Sequence, residues 1–155
     1  MTIIEQYLNR KIDVLALRGG TASGEQQLSQ TLADADSGGD ICTGIQKLAQ
    51  RFLLVLLTEQ GSVKYWSDYG TTFMTELRRG EIRTDAEMRA VFALAEQDAA
   101  EQLVAEESDT DPDDERYRHT ELTTVTITDS TAYLYLTLES MASSADFIVP
   151  ISLVV

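Results

Sequence analysis

Twenty-six acidic residues and a single histidine bound the chemistry this chain can perform. A glycoside hydrolase needs two carboxyl groups across the scissile bond, one of them desolvated enough to keep its proton at neutral pH. With 26 carboxylates some pair always falls at a suitable separation, so the discriminating signal is an apolar setting around one of them. Glu59 has the best such setting. It follows the most apolar run of the chain, Phe52–Leu57, and precedes Tyr65 and Trp66, whose rings could stack on a sugar. The competing reading makes Glu59 an exposed turn residue, with the aromatics closing the end of the core. The residues favour it, because perturbed carboxylates are a minority even in clefts.

Two other constellations are weaker. Asp109, Asp111 and Asp113 alternate like calcium ligands. A calcium loop of the EF-hand type starting at Asp109 requires Gly at its sixth place and Glu at its twelfth. Those places hold Asp114 and Thr120, so Ser108–Glu115 reads as a solvated acidic loop and no metal is expected. Cys42 is the only cysteine, which excludes an internal disulfide, and the only histidine, His119, is far along the chain. A free, partly buried thiol is the expected state of Cys42. No cofactor motif is present.

The elements that would carry these residues follow from periodicity. Ile45, Leu48, Ala49, Phe52, Leu53 and Leu56 recur at helical spacing, and Val55 and Leu57 widen the stripe until the helix is apolar nearly all round. This predicts a central buried helix over 43–58, N-capped by the Thr43 hydroxyl and followed by a turn at Gly61. Thr72–Arg79 reads as a short helix ended by Gly80. Thr84 and Glu87 form a capping box, which starts a long helix over about 85–106 with Met88, Phe92, Ala95, Ala99 and Leu103 on its apolar stripe. The C-terminal third alternates with period two. Leu122–Thr128 and Thr131–Glu139 flank an Asp129-Ser130 turn, and Phe147–Val154 forms a last strand. Pro150 lacks an N–H and places that strand at an edge or at a bulge. The expected fold class is α+β: N-terminal helices packed on an antiparallel sheet over about 120–154.

The remainder is less patterned. Ile3, Ile4, Tyr7 and Leu8 suggest a short amphipathic turn, Ile12–Leu17 a strand broken at Gly19-Gly20, and Asp36–Asp40 a flexible connector. Residues 1–40 are too few to hold their own core, so 1–155 is read as one domain with a mobile N-terminal segment. The longest apolar run is six residues, far short of a membrane span, and no secretory leader is visible at Met1. A cytoplasmic product is expected. The formal net charge of −14, from 26 acidic and 12 basic residues, argues against a grip on nucleic acid or anionic lipid and permits a basic protein partner.

The order of parts in Thr43–Gly70 carries a resemblance. An apolar helix ending in Leu57-Thr58, then Gly61-Ser62, an aromatic patch, Tyr69-Gly70 and a second short helix resembles the baseplate wedge proteins of contractile phage tails. These are called sheath initiators, or the lysozyme-like wedge family, and type VI secretion baseplates carry a similar subunit. The likeness spans Ile12 to Leu153 and is sharp over Gly44–Gly70. It implies a structural role rather than an enzymatic one: joining the wedge to the first sheath ring and initiating sheath assembly. The implied location is the virion, after assembly in the host cytoplasm. The implied partners are other wedge proteins, the tail sheath and neighbouring baseplate subunits, with no nucleic acid and no membrane. Ile45, Leu48, Phe52, Leu56, Gly61, Tyr69 and Gly70 are then structural core positions.

The family carries a Glu-Pro-Arg element before the hairpin that docks on the wedge core. Here Glu115, Arg116 and Arg118 stand at that place without the intervening proline. The competing reading of these three residues is a local salt bridge at the mouth of a loop. Sheath arms in the family add strands to a sheet of the same kind, which points to the strand of Phe147, Val149, Ile151 and Leu153 as the sheath-facing edge. The alternative function is a peptidoglycan-cleaving enzyme with Glu59 as general acid.

Overall fold

The computed structural model describes residues 13–14, 17–19, 26–28 and 41–153. The helices come first. Helix α1 (Gly44–Leu57) is the core's axis, with Leu48, Phe52, Leu53, Val55 and Leu56 all buried. Each such side chain removed from water contributes about 2 kcal/mol. Of its apolar residues only Leu54 is exposed, at 38%. Thr43 occupies the N-cap position with extended backbone, but its hydroxyl makes no capping bond. A distant carboxylate does that work instead, since Gly44 N–H donates to Glu115 Oε1 at 3.0 Å. Gly61 does adopt a positive φ of 81°, yet it lies beyond the helix stop. It shapes the turn in which Ser62 N–H donates to Glu59 O.

Helix α2 (Phe73–Arg78) is short and buries Phe73 and Leu77. Helix α3 (Asp85–Glu106) begins at the expected capping box, in which Glu87 N–H donates to Thr84 Oγ1 and the Glu87 carboxylate accepts from Thr84 N–H. Its stripe is the one periodicity predicts: Met88, Phe92, Ala95, Ala99 and Leu103. The two alanines, at 0% exposure, allow α3 to lie close on α1 and on the sheet.

The sheet has the order β5-β6-β7, all antiparallel, with β5 at Tyr117–Thr128, β6 at Thr131–Ser140 and β7 at Ser144–Ser152. Ala132, Leu134, Leu136 and Leu138 of β6 point into the core, as do Phe147, Val149 and Ile151 of β7. The turn between β5 and β6 is tight because Asp129 takes φ 55°, a conformation that Asp tolerates better than most residues. β5 starts earlier than its alternation suggested. Irregularities in its pairing at Tyr117/His119 and Leu122/Thr124 interrupt the period of two. The second turns Leu122 and the half-buried Val125, three residues apart, to the same face. Phe52 of α1 stacks on Tyr117 at 6.0 Å, which ties the central helix to the start of the sheet. Helices followed by an antiparallel sheet make the chain an α+β protein.

The N-terminal elements are small. β1 (Asp13–Val14) pairs with β4 (Ile41–Cys42), and β2 (Leu17–Gly19) pairs with β3 (Gln26–Leu28). The strand expected over Ile12–Leu17 is thus divided between two pairings, and β3 and β4 fall in a stretch with no strand signal. The amphipathic turn at Ile3–Leu8 and the connector Asp36–Asp40 lie outside the described residues.

Candidate functional site

The chain leaves α1 through Thr58 and returns at Thr71, and the excursion between them carries Tyr65, Trp66 and Tyr69. Its base is closed by Thr71 N–H to Thr58 O at 2.9 Å and Gln60 N–H to Thr71 O at 3.0 Å. Buried Thr71 donates its hydroxyl to Leu56 O at 2.8 Å. The Gln102 amide of α3 grips Gly70 from both sides, accepting from its N–H at 2.9 Å and donating to its carbonyl at 2.8 Å.

Glu59 sits at the start of this loop and is not built as a general acid. Its carboxylate accepts from Thr75 Oγ1 at 2.9 Å and from Arg78 Nη1 at 2.6 Å. The Thr75 hydrogen bond and then the Arg78 charge hold its carboxyl below the usual range, the opposite of what a proton donor at neutral pH requires. Its role is to join the end of α1 to α2. The aromatics do not close the core either. Tyr65 is 90% exposed and Trp66 53%, and only Tyr69 is half-buried, with its ring 4.9 Å from that of Trp66. Burial, then the Glu106 charge, raises the Tyr69 hydroxyl.

The three arginine-and-glutamate positions before the hairpin separate by face. Glu115 is 4% exposed and is consumed inside the chain, where Oε2 takes Lys47 Nζ at 2.7 Å and Oε1 takes Gly44 N–H. The docking expectation placed Glu115 at a partner surface; here its carboxylate lies inside the chain, engaged by Lys47 and Gly44. Tyr117, two residues on, is also buried, while Arg118 points outward and Arg116 is half-buried. Arg116 lies 3.9 Å from both Glu107 and Asp113, and its buried Nε has no hydrogen-bond acceptor. Arg118 is 64% exposed and 3.9 Å from Glu139.

β7 pairs with β6 on one side, and among the described residues no strand is laddered to the other, although β3 lies against it. Phe147, Val149 and Ile151 face the core and Leu153 is half-buried, so what β7 offers outward is its backbone edge and the side chains of Asp146, Ile148, Pro150 and Ser152. Of the other expected core positions, Leu48, Phe52, Leu56 and Gly70 are buried, Ile45 packs half-buried against them, and Gly61 is exposed.

Lys47 and Gln102 had no place in the reading of the sequence. A lysine inside the apolar face of α1, beside Leu48, is itself a signal of a buried acid waiting elsewhere. Gln102 carries no comparable mark. A third group unites Tyr117, Glu96 and His119: the Tyr117 hydroxyl donates to Glu96 Oε1 at 2.6 Å, and His119 Nδ1 lies 3.6 Å from the same oxygen. Burial and that hydrogen bond push the Tyr117 hydroxyl strongly upward. Among the described residues no group of three or more His, Cys, Asp or Glu is placed to hold a metal.

Cys42 is buried, and its thiol is pushed up to about 11, first by burial and then by the Asp13 charge. It is therefore protonated at neutral pH and is a poor nucleophile. The folded state holds this proton more tightly than the unfolded chain does. The stabilisation is complete below the unfolded value of 9.0 and is lost as pH rises to about 11. The urea midpoint is expected to fall between pH 8.5 and pH 11, and to fall less in Cys42→Ala. An equal fall in both proteins would assign the alkaline sensitivity to the raised tyrosines alone.

No protein-family model, curated protein or solved structure matches the chain.

Proposed function

We propose that this protein is a structural subunit of a contractile tail baseplate, one that joins the wedge to the first sheath ring and starts sheath assembly there. The observation that carries the reading is β7. It is the outer strand of the β5-β6-β7 sheet, and Phe147–Val155 contains no charged side chain to discourage a further strand. An extended arm from a sheath subunit could add to that edge by main-chain hydrogen bonds, with β3 moving aside. The pattern of Gly44–Gly70 in the sequence supports the same family. The exposed Arg118 and the half-buried Arg116 are the arginines available to dock on the wedge core, through bidentate bonds to carboxylates or carbonyls.

Two variants test the edge. Deleting Ile151–Val155 removes the end of the strand but also a core residue, so circular dichroism must accompany it. Ile148→Lys puts a charge on the outward face of β7 and leaves the core face intact. Both are expected to abolish sheath nucleation on baseplates, with Ile148→Lys fully folded. Normal nucleation by folded Ile148→Lys would overturn the reading, as would recovery of the native chain only as a free monomer and never in tail particles.

A further inference from the structure

We propose that the loop 59–70 is a preformed docking knob for a basic segment of a partner protein. In the complex an apolar side chain of that segment packs on Tyr65 and Trp66, and its lysines or arginines enter the groove between Asp68 and α3. The inference does not depend on the baseplate reading.

Three observations carry it. The first is exposure. Tyr65 and Trp66 are the most exposed aromatic side chains of the described surface, and Val63 beside them is 37% exposed. A soluble chain gains nothing from a tryptophan held in solvent, and Trp and Tyr are the residues that most often dominate binding energy at protein interfaces.

The second is rigidity. A loop whose side chains are exposed from Gln60 to Asp68 would ordinarily be loose. This one is pinned at both ends by the Thr58–Thr71 bonds and by the two-sided grip of Gln102 on Gly70. Within it, Trp66 N–H donates to Val63 O at 3.1 Å, and Tyr69 N–H to Trp66 O at 3.2 Å. The rings are held in position before any partner arrives, so little ordering entropy opposes binding. Nothing in the packing of the core requires this, because the rings contribute little to it.

The third is charge, and it selects the partner. Beside the knob is an open groove of about 290 Å³ lined by Gln60, Asp68, Asp98, Glu101, Gln102 and Ala105. Among the described residues no lysine or arginine pairs with Asp68, Asp98 or Glu101; there Asp68 accepts from Ser67 Oγ and Glu101 from the Gln97 amide. Three carboxylates that no described cation pairs with, next to exposed rings, suit a segment that brings its own cations, which the ring faces also attract. Lys64, 5.3 Å from the Tyr65 ring centre, already shows a cation on such a face. A second copy of this chain would bring a net charge of −14 to the same groove, and nucleic acid would bring phosphates.

Trp66 is the only tryptophan, so its emission reports on the knob alone. The probe is a dye-labelled eight-residue peptide of arginine and leucine, followed by anisotropy. Its counterpart with glutamate for arginine and a neutral chitin oligosaccharide serve as controls. The arginine peptide is expected to bind saturably and to shift Trp66 emission. Trp66→Ala, and separately the pair Asp98→Lys and Glu101→Lys, should each weaken it at least tenfold. Glu81→Lys with Glu121→Lys, which changes net charge equally at residues outside the groove, should change it by less than twofold. All these side chains are exposed, so folding is preserved. Equal weakening by the remote pair would reduce the effect to bulk charge and overturn the proposal. So would emission shifts with the oligosaccharide but not the peptide, or dimerisation of the native chain that Trp66→Ala abolishes.

Discussion

Gly70→Ala is expected to be the most damaging single-methyl change in the protein, lowering stability by on the order of 3–5 kcal/mol. Two causes add. Gly70 has φ 97°, outside the region that residues with a Cβ adopt readily. A Cβ there would also lie 2.3 Å from the Thr58 carbonyl oxygen and 2.9 Å from its carbon, and both belong to backbone. Neither can rotate away. Thr58 O is already the acceptor for Thr71 N–H at 2.9 Å, and Gly70 itself is held by Gln102 on its far side. Relief therefore means opening the base of the loop. For a chain of this size the loss lowers the melting temperature by roughly 10 °C. Gln102→Ala removes the grip but leaves Gly70 in place, and it should cost only about 1–2 kcal/mol. A Gly70→Ala loss no larger than that of Gln102→Ala would mean that the loop base yields easily, and the rigidity argued for the aromatic knob would fail with it.

How far this could be read from the sequence differs between parts of the chain. The long helix was legible in full, because Thr84 and Glu87 mark its start and a five-residue stripe at helical spacing marks its face. The hairpin was legible because Leu134, Leu136 and Leu138 alternate without interruption. The start of β5 was not, since its pairing irregularities break the alternation on which the signal depends. In the candidate site, periodicity says which positions are buried but not what a buried charge pairs with. Glu115 is separated from Lys47 by 68 residues, and only the packing of the Asp113–Glu115 turn on α1 brings them together. Glu59 shows the same limit, because the exposed-turn reading that the residues favoured does not name its partners. An apolar run before it suggested desolvation, whereas the helix ends at Leu57 and releases Glu59 to Thr75 and Arg78. Exposure of Tyr65 and Trp66 ran against their type, since large aromatics are buried on average and nothing local marks an exception.

Glu115→Ala is the second large effect, expected at about 3–5 kcal/mol, because it takes from the buried Lys47 ammonium a carboxylate 2.7 Å away. The pair is deep: the side chains are 9% and 4% exposed and the contact is 2.7 Å. The same change also removes the acceptor of Gly44 N–H, and with it the far cap of α1. The test separates those contributions. Lys47→Met combined with Glu115→Leu replaces the ion pair by apolar groups of similar size, and such exchanges are often neutral. Among the contacts described for the pair, the one left open is the Gly44 N–H, about 1 kcal/mol. The double variant should therefore be more stable than Glu115→Ala by at least about 2 kcal/mol, read from urea midpoints at constant slope. The comparison also bears on docking. If the internal pairing is the whole role of Glu115, the double variant folds and still assembles, and assembly is lost instead in Arg116→Ala with Arg118→Ala. A double variant that folds normally and fails to assemble would return Glu115 to the partner surface.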